Sequence, residues 1–215
     1  MAKLKKNNLA MNLANLATLI RVVMVFITIT CLLHRNPAVR MWGFIILLLA
    51  FLLDGLDGIL ARRFGASNNI GSLIDTLGDR ITENVMLVFF SYKNLIPLFI
   101  PLVFISRSFI ADFIRFLSYH KGIGTFSINN SKFGFYIVAS KTSRAIYLIL
   151  KFFVFLLGAF IIVYSEKKSF YELSLYPFLF YAAIILTIVN IARFTALIFD
   201  SRKIIKEAFL KNKNQ

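Results

Sequence analysis

Long runs of apolar residues, separated by short polar stretches, dominate the pattern along this chain. A helix needs about 20 mostly apolar residues to cross the roughly 30 Å hydrocarbon layer of a bilayer. Backbone polar groups in that layer must be satisfied within the segment itself, so these runs are expected to be helices. The fold class predicted is an all-α integral membrane protein forming one domain, residues 1–215. Its six transmembrane helices are predicted at residues 16–33, 41–60, 72–92, 95–117, 143–164 and 174–199.

Composition agrees with this pattern, because 59% of the residues are hydrophobic and the mean hydropathy is +0.76. Soluble domains usually stay near 45–50% apolar. The net charge of +15 does not indicate a nucleic-acid partner, since the basic residues lie beside apolar segments and form no soluble basic domain. In a membrane protein the same excess marks cytoplasmic loops and contacts with anionic lipid.

The distribution of lysine and arginine predicts the orientation. Both termini, the connection after the second predicted helix and the polar stretch 118–141 carry more of these residues than the connections on the other side. Both termini are therefore expected in the cytoplasm, at a bacterial inner or plasma membrane. We interpret the N-terminus as an uncleaved cytoplasmic segment. The tail 200–210 fits an amphipathic surface helix or a solvated basic tail equally well.

Acidic residues are few and clustered. Of ten in the chain, five fall within thirty positions: Asp54, Asp57, Asp75, Asp79 and Glu83. The first two are three positions apart and the next two are four apart, so on helices each pair shares one face. A short cytoplasmic turn between the second and third predicted helices can bring the two pairs together. The sequence thus predicts an active site at the cytoplasmic edge of the membrane.

Four carboxylates at a membrane boundary repel one another and are costly to desolvate, so they require a positive partner. Hard divalent cations prefer carboxylate oxygens, and no histidine or cysteine lies nearby to indicate zinc or copper. Mg²⁺ or Mn²⁺ is the simplest partner, and four acids can hold two ions. The structural alternative is a set of ion pairs with Arg62, Arg63 and Arg80. Glu83 is expected to pair with Arg80 or a lysine rather than to bind metal.

Glycines and one arginine complete the cluster. Gly58 leaves one side of its helix bare, so that a base or diphosphate can approach the backbone. Gly71 and Gly78 are expected to permit close helix packing, as small residues do in membranes. Arg62 provides a cation suited to a diphosphate oxygen.

The segment 54–79 resembles the signature of the CDP-alcohol phosphatidyltransferases, D-x2-D-G-x2-A-R-x8-G-x3-D-x3-D. Every position of that signature is filled here, by Asp54, Asp57, Gly58, Ala61, Arg62, Gly71, Asp75 and Asp79. A second stretch, from Asn15 through Thr18 to Arg21, is similar to the N-x-x-T-x-x-R sequence that opens the first helix of many members. In that family six transmembrane helices commonly pair as a homodimer.

The resemblance implies a role for each matching residue. Asp54, Asp57 and Asp75 would bind the metals that clamp the diphosphate of CDP-diacylglycerol or a similar CDP-lipid. Asp79 would complete the metal site and act as general base on the acceptor hydroxyl, which attacks phosphorus as CMP leaves. The residues implied in CDP-lipid binding are Gly58, Ala61, Arg62 and Gly71, with Asn15 and Thr18 as helpers.

A second set of basic side chains, in and after the fourth predicted helix, is the candidate binding site for the acceptor. Cations within a span are functional candidates by default, and these suit an acceptor with its own phosphate: Arg107, Arg115, Lys141 and Arg144. The chain resembles phosphatidylglycerophosphate synthases in outline, so glycerol 3-phosphate is the first choice. Inositol phosphate, inositol and serine stay open. The structural alternative is that Asp112 pairs with Arg107 or Arg115.

Two other classes of protein are alternatives to an enzyme. A membrane cation transporter is expected to carry acids scattered across several spans near mid-depth. Here the acids cluster at one edge, which favours a site supplied with a soluble acceptor. A non-catalytic assembly protein leaves the signature unexplained.

Overall fold

The protein is all-helical in the part of the chain that its structure, a computed structural model, describes. That part comprises residues 2–64, 69–120, 135–164 and 171–211, with side chains at 16–53, 74–114, 116–117, 136–138, 140, 142–164 and 175–202. It holds α1 (Ala2–Leu33), α2 (Pro37–Phe64), α3 (Asn69–Tyr92), α4 (Phe99–His120), α5 (Lys141–Tyr164) and α6 (Tyr171–Lys211). A five-residue π-helix, Phe135–Ala139, precedes α5.

Within the described residues, three segments are long and apolar enough to cross a membrane: Leu16–Leu33, Tyr136–Tyr164 and Leu175–Arg202. Pro37–Leu53 is a shorter apolar helical segment. The prediction of an all-α membrane protein is therefore confirmed. The third predicted span is less apolar, because its helix carries Asp75, Asp79, Arg80 and Glu83. The count of six spans and the single domain stay predictions.

Helix ends agree with the sequence where an apolar run stops at a polar connection. The first, third and fifth predicted spans end at Leu33, Tyr92 and Tyr164, and so do the helices. The largest extensions lie at the termini, where α1 already begins at Ala2 and α6 continues to Lys211. Neither extension contains a glycine or proline to interrupt it. The helices therefore extend past the apolar residues by which spans are predicted.

The connection between α3 and α4 explains why α4 begins at Phe99, later than predicted. Asn94 has a φ of 57°, in the left-handed region that ends many helices. Its N–H donates to Ser91 O at 2.9 Å, and the Leu95 N–H donates to Phe90 O at 2.9 Å. This pair of hydrogen bonds is a Schellman motif, which satisfies the last carbonyls of α3 and turns the chain before α4.

The structure divides into two compact units. The first comprises Met1–Leu95 with Phe155–Leu179, and the second comprises Ile96–Val154 with Phe180–Gln215. In the first unit α1 packs against α2 and α3. Gly43 permits the close approach of α2, since a Cβ there would lie 2.8 Å from Cys31 Cβ and 3.1 Å from Thr28 O.

Phenylalanines form much of the first unit's core. The ring of Phe90 is fully buried, lies edge-on to Phe155 at 6.1 Å between centroids, and rests on Gly158. The ring of Phe51 stacks on that of Phe155, with 5.9 Å between the ring centroids. The missing side chain of Gly158 makes room for the ring, because a Cβ there would lie 2.7 Å from Phe90 Cζ.

One arginine joins the α1–α2 turn to α5 in the first unit. Arg40 Nε donates to His34 O at 2.7 Å and Nη2 to Arg35 O at 3.2 Å, while Nη1 donates to Ile162 O at 3.4 Å. The partners identified for this guanidinium are thus backbone carbonyls, which helix ends leave without helical donors.

Candidate active site on α1 and α3

Asp75 and Asp79 lie one turn apart on α3 and converge on a single guanidinium from α1. Arg21 Nη2 lies 3.3 Å from Asp75 Oδ1, and Arg21 Nη1 lies 3.3 Å from Asp79 Oδ1. The predicted sharing of one helix face by the two acids is confirmed. The arginine side chain is 2% exposed, whereas those of the aspartates are 57% and 44% exposed. The cation therefore holds both carboxylates from the protein interior while each keeps an accessible side.

A close crossing of α1 and α3 puts Arg21 within reach of the aspartates. A Cβ at Gly78 would collide with Thr18 Cγ2 and lie 3.3 Å from Arg21 Nη2. Thr18 itself is buried. The sequence prediction that Gly78 permits close helix packing is therefore confirmed, as is usual for small residues between membrane helices. The prediction for Gly71 lies outside the described side chains.

Glu83 lies a further turn along α3 and is separate from this pair of acids. Its Oε2 lies 3.5 Å from Arg80 Nη1; the Glu83 side chain is buried, at 4% exposure, and that of Arg80 is partly buried, at 13%. A buried carboxylate requires such a partner, because an unpaired charge is costly in a low dielectric. The prediction that Glu83 pairs with Arg80 is confirmed.

The other predicted donor-site residues lie outside the described side chains, although their helices are described. Asp54, Asp57, Gly58, Ala61 and Arg62 fall on α2, Asn15 on α1 and Gly71 on α3. The spacing of three between the first two acids puts them on one face of α2. Whether they converge with the acids of α3 stays a prediction.

The chemistry of the described carboxylates fits the predicted metal. Oxygen ligands from aspartate are those that Mg²⁺ and Mn²⁺ prefer, and Asp75 and Asp79 provide them at one place. Among the side chains that the structure describes, no group of three or more His, Cys, Asp or Glu is close enough to hold an ion. A complete site that includes the acids of α2 stays a prediction.

The predicted acceptor-phosphate residues all belong to the second unit. Arg107 is half-buried on α4, and Arg144 is exposed in the first turn of α5. Arg115 and Lys141 lie on the same two helices, but their side chains are outside the described set. Their role in acceptor binding stays a prediction, as does the alternative pairing of Asp112.

The structure adds Arg193, which the sequence analysis missed. It donates to Ile137 O at 3.3 Å, Val138 O at 3.4 Å, and Ser143 O and Oγ at 3.4 and 3.0 Å. Its guanidinium also lies 5.0 Å from the centre of the Tyr147 ring. This arginine therefore fastens the π-helix and the start of α5 to α6. A signal was available, since Arg193 is the single charged residue between positions 174 and 199.

Arg21 was likewise not chosen as a site residue, although it belongs to the N-x-x-T-x-x-R stretch and interrupts an apolar run. A cation embedded in a span is a functional candidate for that reason alone. Its partners, however, lie 54 and 58 positions further along the chain. No local pattern connects positions so far apart.

Comparison with known sequences gives a family match and several partial relatives. Residues 11–192 match the sequence profile of the CDP-alcohol phosphatidyltransferase family. A probable phosphatidylglycerophosphate synthase of Mycobacterium tuberculosis is 27% identical over 115 residues, which are 52% of this chain and 55% of that protein. A CDP-diacylglycerol–glycerol-3-phosphate 3-phosphatidyltransferase of Rickettsia bellii is 24% identical over 104 residues, 48% of this chain and 58% of that protein.

A third relative carries a different name. A cardiolipin synthase (CMP-forming) of Streptomyces coelicolor is 35% identical over 66 residues, 31% of each chain. The chain spans little more than half the length of the first two relatives and less of the third. No solved structure gives a significant match.

Proposed function

The chain belongs to the CDP-alcohol phosphatidyltransferase family, and from that premise we propose that it synthesises phosphatidylglycerophosphate. In this reaction a phosphatidyl group passes from CDP-diacylglycerol to glycerol 3-phosphate, and CMP is released. The observation that carries the proposal is the convergence of Asp75 and Asp79, two residues of the complete family signature, on one buried guanidinium. Two partly exposed carboxylates fixed at one point suit both metal binding and proton transfer.

The four signature aspartates would hold two ions of Mg²⁺ or Mn²⁺, whose charge would offset that of the entering and leaving oxygens. Asp54, Asp57 and Asp75 act as ligands in this proposal. Asp79 completes the site and accepts the proton of the acceptor hydroxyl. The hydroxyl oxygen forms a bond to the phosphorus that bears the lipid, and the bond from that phosphorus to CMP breaks.

Exposure supports the assignment of Asp79 as the base. Its side chain is 44% exposed, so an acceptor from the aqueous side can reach it. Arg21 holds its Oδ1 at 3.3 Å, which fixes the position of the carboxylate on α3. A carboxylate positioned in this way fits general-base catalysis.

The donor lipid is proposed to bind beside these acids, on the parts of α1, α2 and α3 that carry the family motifs. The small residues leave backbone accessible to cytidine diphosphate, and the arginine pairs with a diphosphate oxygen. The proposed contacts are Gly58, Ala61, Arg62 and Gly71, with Asn15 and Thr18. Of these, Thr18 is described, and it is buried next to Gly78.

Glycerol 3-phosphate is proposed as acceptor because two relatives are named for synthesis of phosphatidylglycerophosphate or for transfer to glycerol 3-phosphate. The proposed phosphate ligands are Arg107, Arg115, Lys141 and Arg144, since cations bind phosphate by charge-assisted hydrogen bonds. A second candidate is cardiolipin synthesis with release of CMP, favoured by the relative of that name. Inositol phosphate, inositol and serine are further acceptors to be tested.

The remaining parts of the proposal concern the membrane. All six α-helices would cross it, with the aspartates and both termini on the cytoplasmic side of a bacterial inner membrane. The support is the excess of lysine and arginine in those segments. A homodimer is proposed because members of the family commonly form one.

The decisive experiment incubates purified protein with CDP-diacylglycerol, Mg²⁺ and one acceptor at a time, and measures CMP and the lipid product. Glycerol 3-phosphate is expected to give phosphatidylglycerophosphate, while phosphatidylglycerol in its place would give cardiolipin if the second candidate is correct. Asp79→Asn should abolish turnover while leaving binding of CDP-diacylglycerol intact. Absence of CMP with every acceptor would refute the enzyme and favour the transporter alternative, which flux in vesicles would test.

A further inference from the structure

We propose that Arg21 is a positioning residue, whose buried guanidinium sets the geometry in which Asp75 and Asp79 bind a divalent cation. The inference rests on the proposed function for the role of the two aspartates, and it adds a residue of α1 to the site. The juxtaposition that carries it is the pair of 3.3 Å contacts from Nη1 and Nη2 of one side chain to the two carboxylates.

These two contacts depend on the shape of the arginine side chain. A guanidinium is planar and presents donors in a rigid fork, whereas an ammonium is a compact point charge. In the structure one terminal nitrogen of Arg21 faces Asp79 and the other faces Asp75. The two terminal nitrogens of the guanidinium therefore fix the separation of the two carboxylates. An ammonium group carries the same charge but does not fix that separation.

Burial makes Arg21 a fixed support rather than a competitor for the site. Its side chain is 2% exposed, and its Nη2 lies next to Gly78 at the crossing of α1 and α3. The aspartates are about half exposed, so each keeps accessible surface besides its contact with the arginine. A cation arriving from solvent thus meets carboxylates that are already held from behind.

Charge and geometry predict opposite effects of removing Arg21, which makes the proposal testable. If the guanidinium acted by its charge alone, its removal would strengthen the binding of a divalent cation, because a positive charge would be lost beside the ligands. If it positions the ligands, its removal weakens that binding. Residues that orient metal ligands typically contribute about 10–100-fold in metal affinity.

The experiment measures Mn²⁺ binding to the purified full chain by electron paramagnetic resonance, in which the sharp spectrum of free Mn²⁺ is lost on binding. We expect Arg21→Lys and Arg21→Gln both to raise the dissociation constant by about 10–100-fold, the range for residues that orient ligands. A dissociation constant that is unchanged in Arg21→Lys, or lower in Arg21→Gln, overturns the proposal.

A matched control separates positioning from general stability. Arg40 is another arginine of the first unit, and its identified partners are carbonyls of the α1–α2 turn and of Ile162. Arg40→Lys is expected to lower the melting temperature and to leave the Mn²⁺ dissociation constant within about twofold, since it orients no proposed ligand. If Arg21→Lys behaves in the same way as Arg40→Lys, its role is structural and the proposal is wrong.

Two further arms cover the remaining outcomes. If Arg21→Lys does not fold, Gly78→Ala tests the same position of the guanidinium, because the added Cβ would lie 3.3 Å from Arg21 Nη2. Unchanged Mn²⁺ binding in folded Gly78→Ala overturns the proposal. CMP release by the unsubstituted protein is measured separately. Mn²⁺ binding without CMP release would refute the proposed function alone, whereas CMP release without Mn²⁺ binding would refute this inference.

Discussion

Gly78 is the position at which the structure makes its sharpest prediction about helix packing. In an open helix interior, replacing glycine by alanine adds about 1 kcal/mol of stability, because the unfolded chain loses freedom and the helix gains a better former. Here the added Cβ would overlap Thr18 Cγ2 and approach Arg21 Nη2 to 3.3 Å. Gly78→Ala should therefore destabilise the protein, against the ordinary trend.

The magnitude follows from two opposing terms. Overpacking a tight contact typically costs about 1–3 kcal/mol, and the gain in helix propensity offsets roughly 1 kcal/mol of it. The difference is a net loss of up to about 2 kcal/mol, and the overlap with Thr18 Cγ2 puts the expected value toward the upper end. Thr18→Ser removes Cγ2, the atom with the worst overlap, so the double variant should recover most of the loss.

Thermal unfolding in detergent can be followed with a thiol-reactive fluorescent dye. The chain has one cysteine, Cys31, which is partly buried on α1 and becomes accessible on unfolding. The four proteins of the cycle are the unsubstituted chain, Gly78→Ala, Thr18→Ser and the double variant. A rise in the melting temperature of Gly78→Ala, or additive effects of the two substitutions, would refute the close crossing of α1 and α3.

Three further predictions concern other parts of the molecule. Asn94→Ala should lower the free energy of unfolding by about 1 kcal/mol in thermal unfolding, because alanine tolerates the left-handed region less well than asparagine. Asn94→Gly should not lower it. Equal losses in the two variants would contradict the Schellman motif. Arg193→Ala should cost about 2–4 kcal/mol by the same assay, since it removes charge-assisted hydrogen bonds of about 1.5 kcal/mol or more each; a loss below 1 kcal/mol would show that Arg193 does not fasten α5. Chelation by EDTA should abolish CMP release, and Mg²⁺ or Mn²⁺ should restore it; activity that survives chelation would refute the metal proposal.

The helices could be predicted closely from the sequence because their cause is local. Apolar runs of sufficient length must be helical in a bilayer, and several ends coincide with polar connections, such as that after Leu33. The later start of α4 was missed because the left-handed Asn94 extends the turn. The continuation of α6 to Lys211 was not distinguished from a solvated tail, since the apolar residues used to locate spans end before it.

The candidate site likewise has parts that the sequence predicted and parts that it did not. The spacing of Asp75 and Asp79 indicated a shared helix face, and the structure confirms it. Resemblance to the signature indicated the family, and the family match confirms it; the role of each acid stays a prediction. Arg21 and Arg193 were missed as site residues because single arginines in apolar runs carry no information about their partners.

By itself, the sequence determined an all-helical membrane protein and the relative positions of acids along single helices, since both depend on neighbours within a few turns. The tertiary structure decided that a guanidinium on α1 would lie between two carboxylates more than fifty positions away. It also decided that Gly78 would face Thr18 at that crossing. Such contacts depend on how separate helices pack, and packing is set by the shapes of all the side chains between them rather than by any periodicity along the chain.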